Sequence, residues 1–197
     1  MSSSLSLLGV FTLLLLSIFN PSMFVLAKEN GSNIDKFVHD TCNRFPDNEL
    51  YNLCISEIDS DLREDLKSNL AGFLTIFVNR TINNFNDNLV FLQKEIKSGK
   101  LDAETKLMYN KCSESFGMGY TDLQESMHIL LTQPGTNVYD LPIMSVDKHV
   151  GVCFDDFEDD PIPPEWTSRY NRSWNLVSLI LGTSNLIKCN REASCIP

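Results

Sequence analysis

The chain is predicted to be all-α: an antiparallel up-and-down four-helix bundle with an N-terminal helical hairpin extension. Three observations predict this. Four long segments repeat apolar residues at spacings of three and four, the period of an amphipathic helix with one buried face. The connections between them are short and rich in Gly or Pro, so successive helices should lie side by side and run in opposite directions. No segment shows the two-residue alternation of a half-buried strand.

The elements follow in order. Residues 1–27 read as a secretory signal peptide: an apolar run from Leu5 to Ile18, then Pro21, then Val25-Leu26-Ala27 as a cleavage site. The run is short for a membrane span. Residues 28–60 form an N-terminal segment in which two helical pieces flank Pro46-Asp47-Asn48, with Cys42 and Cys54 on either side of that turn. A bridge between them would close a small hairpin.

Residues 61–197 hold the four-helix bundle and a short C-terminal tail. The first helix is expected from Asp61 to about Lys97, with Leu62, Leu66, Leu70, Phe73, Phe77, Phe85, Leu89, Leu92 and Ile96 as its buried stripe and Ser98-Gly99 as its stop. The second runs from Asp102 to about Thr132, on Leu107, Phe116, Tyr120, Leu123, Met127 and Leu130, and ends at Gln133-Pro134-Gly135. Gly117 and Gly119 lie inside it; they either let a neighbour pack closely or mark a weak point. The third spans Asn137 to about Glu158, its regular part starting near Leu141 with Pro142 in the first turn, where proline is tolerated. Pro161, Pro163 and Pro164 end it. The fourth starts near Glu165 and carries Trp166, Tyr170, Trp174, Val177, Leu181, Ser184 and Ile187 as a core stripe.

Composition narrows the function. The formal net charge is −10, which disfavours nucleic acid and anionic membranes as partners and suits a basic partner or plain solubility. Six cysteines behind a signal peptide suggest a disulfide framework. Cys112, in mid-helix, finds a candidate partner in Cys153, because antiparallel neighbours bring the middle of the second helix to the later part of the third. Cys189 and Cys195 are expected to form a local third bridge, with free thiols as the alternative. Asn30, Asn79 and Asn171 each open an Asn-x-Ser/Thr sequon, the acceptor for N-glycosylation on a secreted chain.

Chemistry is poorly supplied. His39, His128 and His149 fall in different segments without the spacing of a metal site. The acidic run Asp155, Asp156, Glu158, Asp159 and Asp160 lacks the Gly-centred loop of a calcium hand and reads as a solvated helix end. No catalytic residue, metal or cofactor is expected.

The stretches "CNRFPDNELYNLC", "YNKCSESF" and "VGVCFDDFED", in this order behind a signal peptide, resemble the plant invertase and pectin methylesterase inhibitor family across the whole mature chain. The resemblance implies bridges Cys42 to Cys54 and Cys112 to Cys153, secretion to the apoplast and cell wall or delivery to the vacuole, and stoichiometric occlusion of an enzyme cleft. It implies pectin methylesterase as the partner, with invertase as the alternative, or a storage, defence or allergen-like bundle that no longer inhibits. Tyr109, Glu114, Tyr139, Asp140 and Ser145 lie near the family's contact regions and are its interface candidates here. The chain departs from the family pattern at several points. Pectin methylesterase inhibitors commonly carry acidic residues where it has Met118 and Thr121, and small residues where it has Pro142 to Val146. The stretch "GTNVYDLPIMS" lacks the Pro-Lys-Phe motif of invertase inhibitors, and the gap between Cys42 and Cys54 is long.

Overall fold

The structure is a computed structural model and describes residues 33–133, 135–155, 157 and 163–191. The chain divides into two compact units, Met1–Phe37 and Val38–Pro197. The described part of the first, residues 33–37, is helical; the expected signal peptide and Asn30 lie outside the described residues. Everything below concerns the second unit.

Residues 38–42 (α1) and Asn48–Asp59 (α2) form the expected hairpin, joined by Cys42–Cys54. Asp47 starts α2 by accepting the Leu50 N–H at 2.7 Å, the usual role of a short acidic side chain at a helix start. Two contacts seat the hairpin. The Phe45 ring lies over Gly182, where a Cβ would come within 2.5 Å of it, and the buried Glu57 pairs with Arg172 and, at 3.3 Å, with Arg80 Nε.

The first bundle helix begins later than its apolar period predicts. Regular helix covers Leu70–Ser98 (α3), and a 3-10 turn at Glu64–Ser68 precedes it. The cause is local competition for backbone donors. Asp61 accepts the Arg63 N–H at 2.9 Å as well as the Arg63 guanidinium, which turns the chain and leaves Leu62 93% exposed rather than in the core. The Arg63 hydrogen bond holds the Asp61 carboxyl down at about 2. Asn69 is extended and accepts the Gly72 N–H at 2.8 Å, so it is the true N-cap. Gly72 has no room for a side chain, since a Cβ would overlap the Leu66 carbonyl. At the far end Gly99 takes the left-handed conformation, φ 70°, and Asp102 caps the next helix through Thr105 N.

Ala103–Thr132 is α4. Its buried face is rotated from the expected stripe: Met108, Tyr109, Cys112, Ser115, Phe116, Gly119, Leu123 and Ser126 are inside, while Leu107 is exposed and Tyr120, Met127 and Leu130 are half-buried. After 3-10 turns at Val138–Asp140 and Pro142–Ser145, regular helix resumes only at Val146–Asp155 (α5), five residues later than expected. Pro142 occupies the first turn of the second 3-10 segment. The last helix, α6, is Pro164–Arg191.

Adjacent pairs pack in a ring, α3 on α4, α4 on α5, α5 on α6 and α6 on α3. Phe85 meets Phe116 and Phe91 meets Tyr109, so α3 and α4 are antiparallel; Asn88 meets Ser173 and Phe91 meets Trp166, so α3 and α6 are too. The all-α up-and-down bundle is therefore as expected. Trp166 and Tyr170 are buried as predicted, but Trp174 is exposed, with its ring stacked beside Tyr170.

The two internal glycines of α4 separate cleanly. A Cβ on Gly119 would sit 2.8 Å from the buried Phe85 ring and 3.4 Å from His149 Cβ, whereas one on Gly117 would meet nothing within 4 Å. Gly117→Ala should therefore stabilise the protein by up to about 1 kcal/mol through helix propensity. Gly119→Ala should cost about 1–3 kcal/mol through overpacking. Urea denaturation of the two variants checks the opposite signs.

Candidate protein-docking site

The α4–α5 seam is built from small and polar residues. Cys112 and Cys153 are bridged with Cα atoms 4.7 Å apart, and Gly119 admits His149 one to two turns away. Beyond them, Asp122 Oδ2 lies 2.6 Å from Ser145 Oγ and 3.1 Å from His149 Nε2. The Ser145 hydroxyl is also 2.8 Å from the Pro142 carbonyl, so its one proton is shared between two acceptors. The buried Ser126 Oγ accepts the Ile143 N–H at 2.9 Å. These bonds fix the irregular 138–145 segment against α4, which explains how a stretch with little α-helix holds a defined shape.

Ser145, Asp122 and His149 share one carboxylate oxygen, and no Ser145–His149 hydrogen bond links nucleophile to base. A hydrolytic triad needs that link. The cluster is a tie between helices, partly open to solvent. Among the described residues no group of three or more His, Cys, Asp or Glu is placed to hold a metal ion, and no helix is long and apolar enough to cross a membrane.

The five interface candidates do not form one patch. Glu114 and Asp140 are exposed, and Ser145 is half-buried in the tie. Tyr139 is 37% exposed at the end of the bundle; its hydroxyl donates to Asn185 Oδ1 at 2.6 Å and Lys188 lies over its ring. Tyr109 must be corrected. It is 2% exposed and packs among Phe91, Phe157 and Trp166, and burial, with the charges of Glu95 and Glu165, raises its phenol above the usual range. A tyrosine so placed serves the core.

The structure also shows Asp122 and His149, which the sequence reading left out of the site. A weak signal existed: Gly119, Asp122 and Ser126 share one face of α4, and Ser145 and His149 are four residues apart.

Both Cys42–Cys54 and Cys112–Cys153 are present, and none of the described cysteines is free; Cys195, the expected partner of Cys189, lies outside the described residues, as do residues 156 and 158–160 of the acidic run. Asn171 is exposed on α6 and Asn79 half-buried on α3. The arginine at the centre of each of these sequons, Arg80 and Arg172, reaches Glu57, and the hydroxyls of Thr81 and Ser173 are buried.

Against known structures, the chain superposes on a mutant form of a pectin methylesterase inhibitor from Arabidopsis with a TM-score of 0.53 at 19% identity, covering 71% of this chain and 97% of that one. A pectin methylesterase inhibitor from Arabidopsis thaliana gives 0.53 at 18% identity, covering 75% and 93%. The fold is shared with these inhibitors. No protein-family model and no curated protein matches the sequence. At this identity the likeness is one of architecture, and it agrees with the resemblance carried by the cysteine-bearing stretches.

Proposed function

We propose that the protein is a secreted inhibitor that forms a stoichiometric complex with a pectin methylesterase and covers its cleft, using the side of the bundle formed by α4 and α5. The observation that carries this reading is the fold likeness, which spans nearly the full length of both Arabidopsis inhibitor chains. The α4–α5 side supports it, being tied by the buried Cys112–Cys153 bridge and by the Asp122 hydrogen bonds. Glu114, Asp140 and Ser145 are the polar contacts of the complex, with Tyr139 at its edge. Secretion is part of this proposal: it rests on the reading of residues 1–27 as a leader and suits two disulfides, which persist in oxidising compartments. Glycans at Asn79 and Asn171 would stand on α3 and α6, away from the α4–α5 seam.

The mature protein should inhibit a plant pectin methylesterase at a one-to-one ratio and leave invertase active, since the Pro-Lys-Phe motif is missing. Titration of both enzymes at acidic and neutral pH tests this. Inhibition of invertase alone would move the assignment to that enzyme, and inhibition of neither at micromolar concentration would leave a non-inhibitory bundle.

A further inference from the structure

The end of the bundle where α3 starts and α4 stops is not closed by packing. Asp61 and Asn69 delay α3 until Leu70, and the 3-10 turn before it runs so close to Gly72 that a Cβ there would overlap the Leu66 carbonyl. Residues 135, 136 and 138 form another wall, and a cavity of about 470 Å³ remains, open to solvent on one side. Leu66, Leu74, Leu130, Val138 and Ile187 line it, and of these Leu74, Val138 and Ile187 are buried. Leu131, 67% exposed, stands at its mouth. Such a volume, apolar within and polar at a few points, is that of a small-molecule site, and helical bundles form these between their helices.

The polar groups at the rim narrow the ligand. Arg63 is bound to Asp61 at 2.6 Å and also feels the charge of Asp65, so the rim carries no surplus of positive charge to draw an anion in. The first turn of α3, with Ala71 and Gly72, and the last turn of α4, with Leu130 and Leu131, both line the cavity. The positive end of one helix dipole and the negative end of the other therefore oppose each other there. An ion would give up its hydration to enter apolar walls, with no strong field to offset the loss. Asp65 offers an acceptor and the Gln133 amide both a donor and an acceptor, which suits a hydroxyl, a group that donates and accepts.

The nearest rival occupant is the chain's own tail after Arg191. Ile187 faces the cavity, and Cys189, through which the expected bridge to Cys195 would hold the tail, is only two residues further on. Residues at that spacing lie on opposite sides of a helix. A tail so bridged starts from the far side of α6.

We propose that this cavity binds an uncharged, compact apolar ring system carrying one hydroxyl, its apolar body against Leu74, Leu130 and Ile187 and its hydroxyl at the rim by Asp65 and Gln133. The site lies further along α4 than the Asp122 tie and does not rest on the inhibitor reading.

Titration calorimetry of the mature protein with 2-naphthol tests the site. One molecule should bind per chain, with a Kd on the order of 100 μM. Naphthalene-2-sulfonate, the same ring with an anionic group, should bind about tenfold more weakly. Ala71 is exposed and lines the cavity, so Ala71→Phe should fill the space and abolish binding without touching the core. Leu131→Ala removes an exposed wall and should weaken binding several-fold. Circular dichroism checks that both variants fold. Deletion of residues 192–197 should leave the affinity unchanged. No binding of 2-naphthol, binding that survives Ala71→Phe, or sulfonate binding as tight as that of the naphthol overturns the site. Tighter binding after the deletion would give the cavity to the tail. Affinity that falls as protein concentration rises, with a dimer seen by sedimentation, would give it to a second copy. Either result overturns the proposal.

Discussion

Replacing Cys112 and Cys153 together by Ala should lower the midpoint of thermal unfolding by about 8–16 °C. The loop they close spans 41 residues, and the chain-entropy model assigns such a closure roughly 4 kcal/mol; in a domain of this size each kcal/mol moves the midpoint about 2–4 °C. The shorter Cys42–Cys54 loop, 12 residues, gives roughly 3 kcal/mol in the same model, and its loss should be felt first at the hairpin. The long bridge has a second consequence. It is buried, with both cysteines at 0% exposure, and it fixes the level of α5 against α4, holding the two Cα atoms 4.7 Å apart. The double variant should therefore lose affinity for a partner at temperatures where it is still folded, and calorimetry beside a binding assay separates the two effects. A midpoint shift under about 2 °C would show that packing alone holds the seam.

That seam also shows which parts of the fold the sequence makes legible. The period of large apolar residues finds α3, α4 and α6, and Gly99 and Asp102 mark the turn between α3 and α4. It misplaces the buried face of α4, because half of that face is small: Cys112, Ser115, Gly119 and Ser126 are buried by close approach of neighbours and carry little hydropathy of their own. Leu107 fits the period and stays in water. At the start of α3 the period continues through Leu62 and Leu66, but Asp61 and Asn69 offer side-chain acceptors to nearby N–H groups, and these local bonds outweigh helix continuation. The 138–145 segment reads as helix by its pattern and folds as two 3-10 turns, closed by its own bonds from Leu141 N–H to Val138 and Met144 N–H to Leu141, while the Ile143 N–H and the Ser145 hydroxyl are drawn to Ser126 and Asp122 of α4.

The candidate site was less legible than the fold for a related reason. Cysteine order points to the right pair of helices, and Ser145 belongs to the tie between them. Yet the exposure of a residue depends on helix rotation, and the rotation of α4 is set by its small residues. Tyr109 was drawn to the interface by its place in the chain, and the same rotation that exposes Leu107 turns Tyr109 inward. Met118 follows the opposite course: it reads as a departure from a family pattern and stands half in solvent on α4.

Trp166→Ala should be among the most destabilising single substitutions, at about 3–5 kcal/mol. Trp166 is 1% exposed and sits where three elements meet, stacked at 6.0 Å on Phe91 of α3 and touching Tyr109 and Phe116 of α4. It lies in the first turn of α6, held there by its N–H bond to the Pro163 carbonyl at 2.8 Å. Truncation removes the shared surface of that aromatic cluster and leaves a cavity that rigid neighbours cannot fill. Arg169 covers the outer face of Phe91 at 4.4 Å and blocks collapse from that side. The expected fall in the unfolding midpoint is about 6–20 °C. Trp174→Ala is the internal control: its side chain is 43% exposed, and its loss should cost about 1 kcal/mol or less. The two tryptophans of the chain also report separately by fluorescence. The Trp174 variant should keep a blue-shifted emission from the buried Trp166, and the Trp166 variant should show only the red-shifted emission of a ring in water. Equal stability losses for the two substitutions would mean that the α3–α4–α6 junction is not organised around Trp166.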